Sequence, residues 1–540
     1  MLTILAVIFE RCSLTTFNEK PEVQRRSTSQ LVSLLATKLM PLLWVVLLLA
    51  PPGTSALGCL PGGTCNYPNT KKIVYVDGVA NTLQSAINAA NDSGNTSVIV
   101  LSSQTVPSGL TLRGNGVELI CQNNAILTAG AGGFWMLTIT GTGNALRDCS
   151  LSPGESSSAF GVLVNGASNT TIEKNTISGF EGGNGLIYLV RSTGAIIRNN
   201  RLTTGSAGPD GIFGEINTTD ATVDGNYVDE SLGNLASHAI AFHSTLPGQS
   251  ISGIKIVNNK ILAGMNFCVE VGAFGGLTPN AVVVAHNSCN LTKNGGSGGY
   301  SIGASASTLT ANTFNADGFT ATIAAYEIVE SANSDVTNNS AMIGQAWSSV
   351  PTSAATINRS HGINFSHNMI DGWGGGDALA ASGWGLTVGS SNVSDAVVTN
   401  NIISANVFVF PRGLGSGGIF QQCLTVGSDC SDNQYSGNVL VSDGTAHSVG
   451  FRVENDNGKM KGTTISENNI NGPSYGIYLW NPTVIGTHIY RNVIKSTSPS
   501  ILDSGTNTVT DRYGLSSCAP ERRNLDFTRH TPGTRGELQR

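Results

Sequence analysis

Charge is scarce in this chain. Only 12% of its 540 residues are Asp, Glu, Lys or Arg, and the formal net charge is −6. No basic stripe runs through the sequence, which argues against nucleic acid as a partner. Overall charge cannot steer a polyanion either, which leaves only capture by a local patch. Aromatic residues are equally sparse, at 6%, and histidine occurs eight times. Few aromatics beside 66 glycines and abundant Asn, Ser and Thr point to many short strands and turns rather than helices. Apolar residues still reach 40%, enough to fill a core, so the composition is not that of a disordered chain.

Long apolar runs are also rare. The main one, "LMPLLWVVLLLA" (39–50), follows Lys38 and precedes "PPGTSA". That pattern predicts a signal peptide over 38–56, cleaved near Ala56, and the run is short for a membrane span. A retained anchor and a lipoprotein cleaved before Cys59 are the alternatives. The run sits far from Met1, which is explained if residues 1–37 are a spurious extension. The ten cysteines then fit an exported protein. Cys59/Cys65 and Cys423/Cys430 are spaced for local bridges, and Cys121/Cys149 and Cys268/Cys289 for next-turn pairs, although spacing alone does not fix connectivity. None of these spacings matches a zinc site.

What the sequence has in quantity is repetition. A unit of apolar, two residues, Asn, one residue, apolar recurs in "TIEKNTI" (171–177), "IIRNNRL" (196–202), "TVDGNYV" (222–228) and "IVNNKIL" (256–262). The series of Asn runs 175, 200, 226, 259, 287, 312, 339, 368, 401, 438, 469 and 492, at intervals of 23 to 37. Between these lie strands of the form Gly-apolar-x-apolar, as in "GLIYL" (185–189), "GIFGE" (211–215), "GIFQQ" (418–422), "GFRVE" (450–454) and "GIYLW" (476–480). Such a unit cannot bury its apolar face alone, but stacked units share a core. The Asn suits a left-handed position in a tight turn, and its amides can stack into a ladder. "NTLQSAINAAND" (81–92) predicts one amphipathic helix, capped by Asn81 or Thr82 and stopped by Gly94, which would cover the open first rung.

This pattern resembles the right-handed parallel β-helix superfamily that includes pectate lyases and polygalacturonases. The resemblance implies an all-β fold of about 13 rungs with a short N-terminal capping helix. The expected layout is strand and helical cap over 57–118, β-helix over 119–515 beginning near "VELICQNNAIL" (117–127), and a polar tail over 516–540.

In such families substrate lies on the outer face of the Gly-apolar-x-apolar sheet. Side chains alternate along a strand. With Ile212, Ile240, Val269 and Ile302 inward, the outward sets are Gly211, Phe213 and Glu215, then Ala239, Ala241 and His243, then Cys268, Glu270 and Gly272. Glu215 and His243 then stack ~4.8 Å apart, with Glu270 one rung on, and the two carboxylates stand ~9.6 Å apart between backbones. A carboxylate beside imidazole makes an acid/base pair, and two carboxylates ~6.5–9.5 Å apart suit an inverting hydrolase. Glu215, His243 and Glu270 are therefore the candidate catalytic residues, with Glu327 joining from a later rung. The alternative is a surface column of ion pairs. Phe213, Phe420, Gln422, Arg452, Glu454, Tyr478 and Trp480 are the candidate substrate-binding residues, because aromatic faces stack on sugar rings and Arg clamps carboxylates. The alternative there is a packed patch under a loop.

In "HAIAFH" (238–243) an even number of residues separates the two histidines, so strand alternation predicts opposite faces and no joint metal ligation. Asp210 and His238 match in position at strand starts, where a turn-capping role is expected. Family catalytic motifs do not transfer. "PDGI" (209–212) and "SHGI" (360–363) are faint echoes of polygalacturonase motifs, there is no Asp-Asp pair, and the clustered Asp of calcium-dependent lyases is missing. No cofactor is expected; the alternatives are a metal held by Glu215, His243 and Glu270, or calcium, which no motif supports. The reading is a secreted or cell-surface protein acting on an extracellular polysaccharide by lyase or hydrolase chemistry, with no membrane span after processing. The alternative is a non-catalytic adhesion or glycan-binding protein.

Overall fold

The computed structural model describes residues 71–511, except 77–81, 156, 207, 233–236, 264–265, 293–297, 317–323, 345–352, 374–377, 379–382, 391–392, 412 and 414. The expected leader, the extension before it, the Cys59/Cys65 pair and the C-terminal tail all lie outside those residues.

Each repeat contributes one short strand to each of three parallel sheets. One turn, for example, carries Gly185–Val190, Ile196–Arg198 and Arg201–Thr203, each paired in parallel with its counterpart on the next turn. Among the described residues the sheets hold 15, 15 and 17 strands, which make about 14 turns. One turn more forms than expected because Thr96–Val100, Gln104–Val106 and Leu110–Leu112 already close a rung ahead of "VELICQNNAIL".

Register produces the core. Ile172, Ile197, Val223, Ile256 and Val284 align one above another on successive turns, and all are wholly buried. Each such side chain contributes about 1.5–3 kcal/mol by burial, and the stack continues through the repeat because the apolar residue recurs at the same place in every unit.

The turns hold a ladder of side-chain amides. Asn175, 200, 226, 259, 287, 312, 339, 368, 406, 438, 468 and 492 each donate to or accept from the next at 2.9–3.0 Å, all buried. Two expected members are corrected. Asn401 instead pairs with Asn433 in a different corner, and Asn469 is exposed on a strand. The ladder residue is the one just before the third-sheet strand, hence Asn406 before Val407–Val409 and Asn468 before Asn469–Asn471. Nor is the ladder Asn itself left-handed. That conformation falls on the residue before it, from Lys174 to Arg491, with φ between 53° and 66°. The turn needs a left-handed step to reverse the chain, and the Asn that follows can then aim its amide along the helix axis.

The helix forms at Leu83–Ser93, with the Thr82 side chain accepting from Ser85 N and Gly94 ending it at φ 60°. Leu83, Ala86, Ile87 and Ala90 are buried, and the helix packs on Lys72–Val76, Thr96–Val100 and Leu110–Leu112. Cys121–Cys149, Cys268–Cys289 and Cys423–Cys430 are disulfide-bonded as expected. Cys268, expected to face outward, is wholly buried with its bridge to Cys289. It precedes the strand Val269–Ala273, where the chain is still turning the corner and alternation does not hold.

Candidate active site

The first sheet carries the Gly-apolar-x-apolar strands. Its residues Asp210–Glu215, Ile240–Ser244, Val269–Ala273, Tyr300–Ile302 and Tyr326–Val329 lie on successive turns. Ile212, Ile240, Val269 and Ile302 are all buried, which sends the intervening residues outward. Register sets Glu215 beside His243 and Glu270 beside Ala241, one rung on.

Hydrogen bonding then sorts the candidates. His243 Nε2 lies 2.9 Å from Glu270 Oε2. Glu215 accepts instead from the Tyr188 hydroxyl and, at 3.1 Å, from Thr245 Oγ1. So the expected Glu215–His243 neighbours are adjacent in register, but each is held by a different partner. The His243 ring packs between Phe213 and Phe274, with centroids 5.2 and 4.3 Å away, and this directs its nitrogen toward the later rung.

His238 joins them, contrary to the expectation from strand parity. Its Nε2 lies 2.7 Å from the same Glu270 Oε2, and its Nδ1 lies 3.3 Å from Asp210 Oδ1. The strand begins only at Ile240, so the alternation that separates the two histidines does not extend back to residue 238. Asp210 does cap this corner, accepting from His238 N at 2.6 Å, and in doing so it fixes the ring.

Burial opposes charge on His238, but its bonds to Asp210 and Glu270 and their negative charge prevail, raising its pKa to about 10. Burial likewise works against an ionised Glu270, and the two imidazoles overcome it, lowering the carboxyl to about 2. Behind them Glu230 accepts from Gly211 N, and burial together with the nearby Asp210 charge holds its carboxyl well above the ordinary value. Burial also raises Glu327, against a hydrogen bond from Ser301 and with added repulsion from Glu270. Glu327 thus sits two rungs past Glu270 with Ser301 between them.

A groove of ≈ 380 Å³ opens here, lined by Asp210, Phe213, Glu215, His238 and His243 with the loop residues Gly183, Asn184, Gly208 and Pro209. An aromatic track leads into it. Trp135 stacks on Tyr188 at 5.8 Å and Tyr188 on Phe213 at 5.5 Å, with Phe160 tilted against Trp135 at 5.2 Å. Trp135, Phe160, Tyr188 and Phe274 were not among the sequence candidates. The signal was there in part, since Tyr188 of "GLIYL" occupies the same strand position as Phe213 of "GIFGE".

The downstream face behaves differently. Phe420, Arg452 and Tyr478 do align in register, as do Gln422 and Glu454. Phe420 and Arg452, however, are each only 3% exposed, and Glu454 is buried. Phe420 stacks on Trp384 at 4.9 Å. Arg452 donates to Ala378 O, pairs with Glu454 at 2.7 Å and lies 4.1 Å from the Trp480 ring. The expectation of an open sugar platform with a free guanidinium is therefore corrected to a packed patch. Ala378 and Trp384 pack on it, and Ala378 O accepts from the guanidinium. Gln422 and Tyr478 stay half-buried, and Trp480 is exposed.

Among curated proteins, none matches the chain in sequence. Solved structures similar to it include the Dettilon tailspike protein (13% identity, 71% of this chain and 68% of that one, TM-score 0.44). Another is DFA-IIIase from Arthrobacter chlorophenolicus A6 (10% identity, 59% and 88%, TM-score 0.42). A third is the catalytic domain of a GH87 alpha-1,3-glucanase (15% identity, 84% and 70%, TM-score 0.37). These likenesses are too distant to assign an activity. Residues 85–261 match the family model described as "Right handed beta helix region", and together with three parallel sheets wound through about 14 turns they make this chain a right-handed parallel β-helix protein.

Proposed function

We propose that the protein cleaves an extracellular polysaccharide laid along the outer face of the first sheet, by hydrolysis or by lyase chemistry. The observation that carries this reading is one groove where an aromatic track meets carboxylates held in two different ways. Trp135 and Phe160, both half-buried, offer flat apolar surface to sugar rings, and Tyr188 and Phe213, buried against one another, back that track where it reaches the groove. Glu215 is held only by neutral hydroxyls, while Glu270 is held by two imidazoles. Carboxyl groups in contrasting surroundings are what an acid and its partner base require. Glu215 serves at one end of the scissile bond and the His243–Glu270 pair at the other. Export to the cell exterior belongs to the same proposal. Among the described residues, no helix is long and apolar enough to cross a membrane.

The test is a polysaccharide panel scored for new reducing ends and for unsaturated products. The wild type is compared with Glu215→Gln, His243→Ala and Glu270→Gln. Loss of an acid or base should slow turnover about 10²–10⁴-fold. Equal activity in all four proteins would sink the assignment. Glycan binding without any product would replace it with an adhesive role.

A further inference from the structure

His238 and His243 aim their Nε2 atoms at a single oxygen, Glu270 Oε2, from 2.7 and 2.9 Å. One ligand-capable atom from each of the three residues falls within 4.8 Å of the others. Ligands bound to one ion at about 2.0–2.2 Å in a tetrahedral arrangement stand roughly 3.3 Å from each other. To admit an ion, each imidazole–carboxylate distance lengthens by about half an ångström, and the two imidazole nitrogens, within 4.8 Å of each other, draw together.

Three further features favour a cation there. Asp210 holds His238 by both its backbone N and its Nδ1, which leaves Nε2 facing forward, as an orienting carboxylate does for a metal-bound histidine. Asp210, Glu215 and Glu270 gather negative charge around the groove, and among the described residues neither Lys nor Arg lines it. The groove also gives an ion its way in and room for water on the side facing solvent.

We propose that His238, His243 and Glu270 form a binding site for a zinc-class divalent cation, with Asp210 orienting His238 and the remaining coordination position open to the groove. Two imidazoles and one carboxylate suit zinc and its first-row neighbours. Calcium and magnesium prefer oxygen ligands throughout. The proposal rests on the site assigned above to polysaccharide cleavage and revises one role in it. An ion held by His243 and Glu270 occupies the groups otherwise given acid/base work and leaves Glu215 as the unligated carboxylate. The ion is measured without any glycan, so its failure leaves the cleavage reading to its own test.

The full chain, stripped with a chelator, is titrated with Zn²⁺ by calorimetry and with Co²⁺ by visible absorption. One Zn²⁺ should bind per chain and compete with Co²⁺, and excess Ca²⁺ should not displace it. His243→Ala and Glu270→Gln should each weaken binding at least about 100-fold. Asp210→Asn, which keeps all three ligands, should weaken it about 10–100-fold. Circular dichroism and melting checks each variant's fold, and Asp210→Asn carries the test if a ligand variant fails to fold. Absence of a saturable Zn²⁺ site in the wild type overturns the proposal. So does a site that keeps its affinity in these variants, which would mark adventitious binding to other histidines.

Discussion

Replacing Asn312 with alanine tests whether the amide ladder holds the turns together. Asn312 Oδ1 accepts from Asn287 N at 3.0 Å and from Asn287 Nδ2 at 2.9 Å. Its own Nδ2 donates to Val284 O and to Asn339 Oδ1 at 2.8 and 3.0 Å. The side chain is wholly buried, so water does not replace these partners. Truncation strands two donors of Asn287, and each orphaned buried group costs about 1–3 kcal/mol, for a total of about 2–6 kcal/mol. Asn312→Asp should cost at least as much, because it keeps the acceptor but turns a second oxygen toward Val284 O and Asn339 Oδ1. Urea unfolding followed by circular dichroism measures the loss. Native-state hydrogen exchange at Asn287 N locates it, which matters because a long repeat array need not unfold in one step. Asn290→Ala, half-buried on a neighbouring strand, is the control and should cost under about 0.5 kcal/mol. If Asn312→Ala costs no more than this control, the ladder is not a source of stability.

Ala311 precedes the ladder Asn with φ 54°, a conformation that costs an L-residue about 1–2 kcal/mol. Ala311→Gly should therefore stabilise by about 0.5–1 kcal/mol after glycine's unfolded-state entropy is charged against it, and Ala405→Gly, in the same conformation, should add to it in urea melts. Glu230 has a folded pKa raised above 4.5 by burial, so above about that pH the unfolded chain loses a proton that the folded chain keeps. Stability should fall as pH rises from there, with a slope approaching about 1.4 kcal/mol per unit, and Glu230→Gln should remove this contribution. An identical pH dependence in variant and wild type would refute a neutral Glu230. Phe274 is 52% exposed beside His243, so Phe274→Ala should leave the melting temperature in place. It should weaken oligosaccharide binding in calorimetry by about tenfold, or 1.4 kcal/mol.

Much of the fold was legible because a β-helix is nearly one-dimensional. Each unit repeats the same local problem, so the recurring apolar residue gives the core stack from Ile172 to Val284 directly. The turns were less legible. "NNIISAN" (400–406) offers three Asn, and only the position relative to the following strand selects Asn406 over Asn401. Within strands, parity placed Phe213, Glu215, His243 and Glu270 on one face. It failed at Cys268 and His238, one or two residues ahead of their strands, where the backbone turns.

The sequence by itself determined the coil of short strands and the capping helix, and its spacings offered the disulfide pairs among Cys121, Cys149, Cys268, Cys289, Cys423 and Cys430 without fixing their connectivity. These follow from local periodicity and from neighbours one turn apart. Only the tertiary structure decided which groups meet. It joined His238 to His243 through Glu270, held Glu215 with Tyr188 and Thr245, and packed Ala378 and Trp384 against the Phe420–Arg452 patch. Those outcomes depend on side-chain rotamers and on how corners and long loops fold back, and strand period carries no information about either.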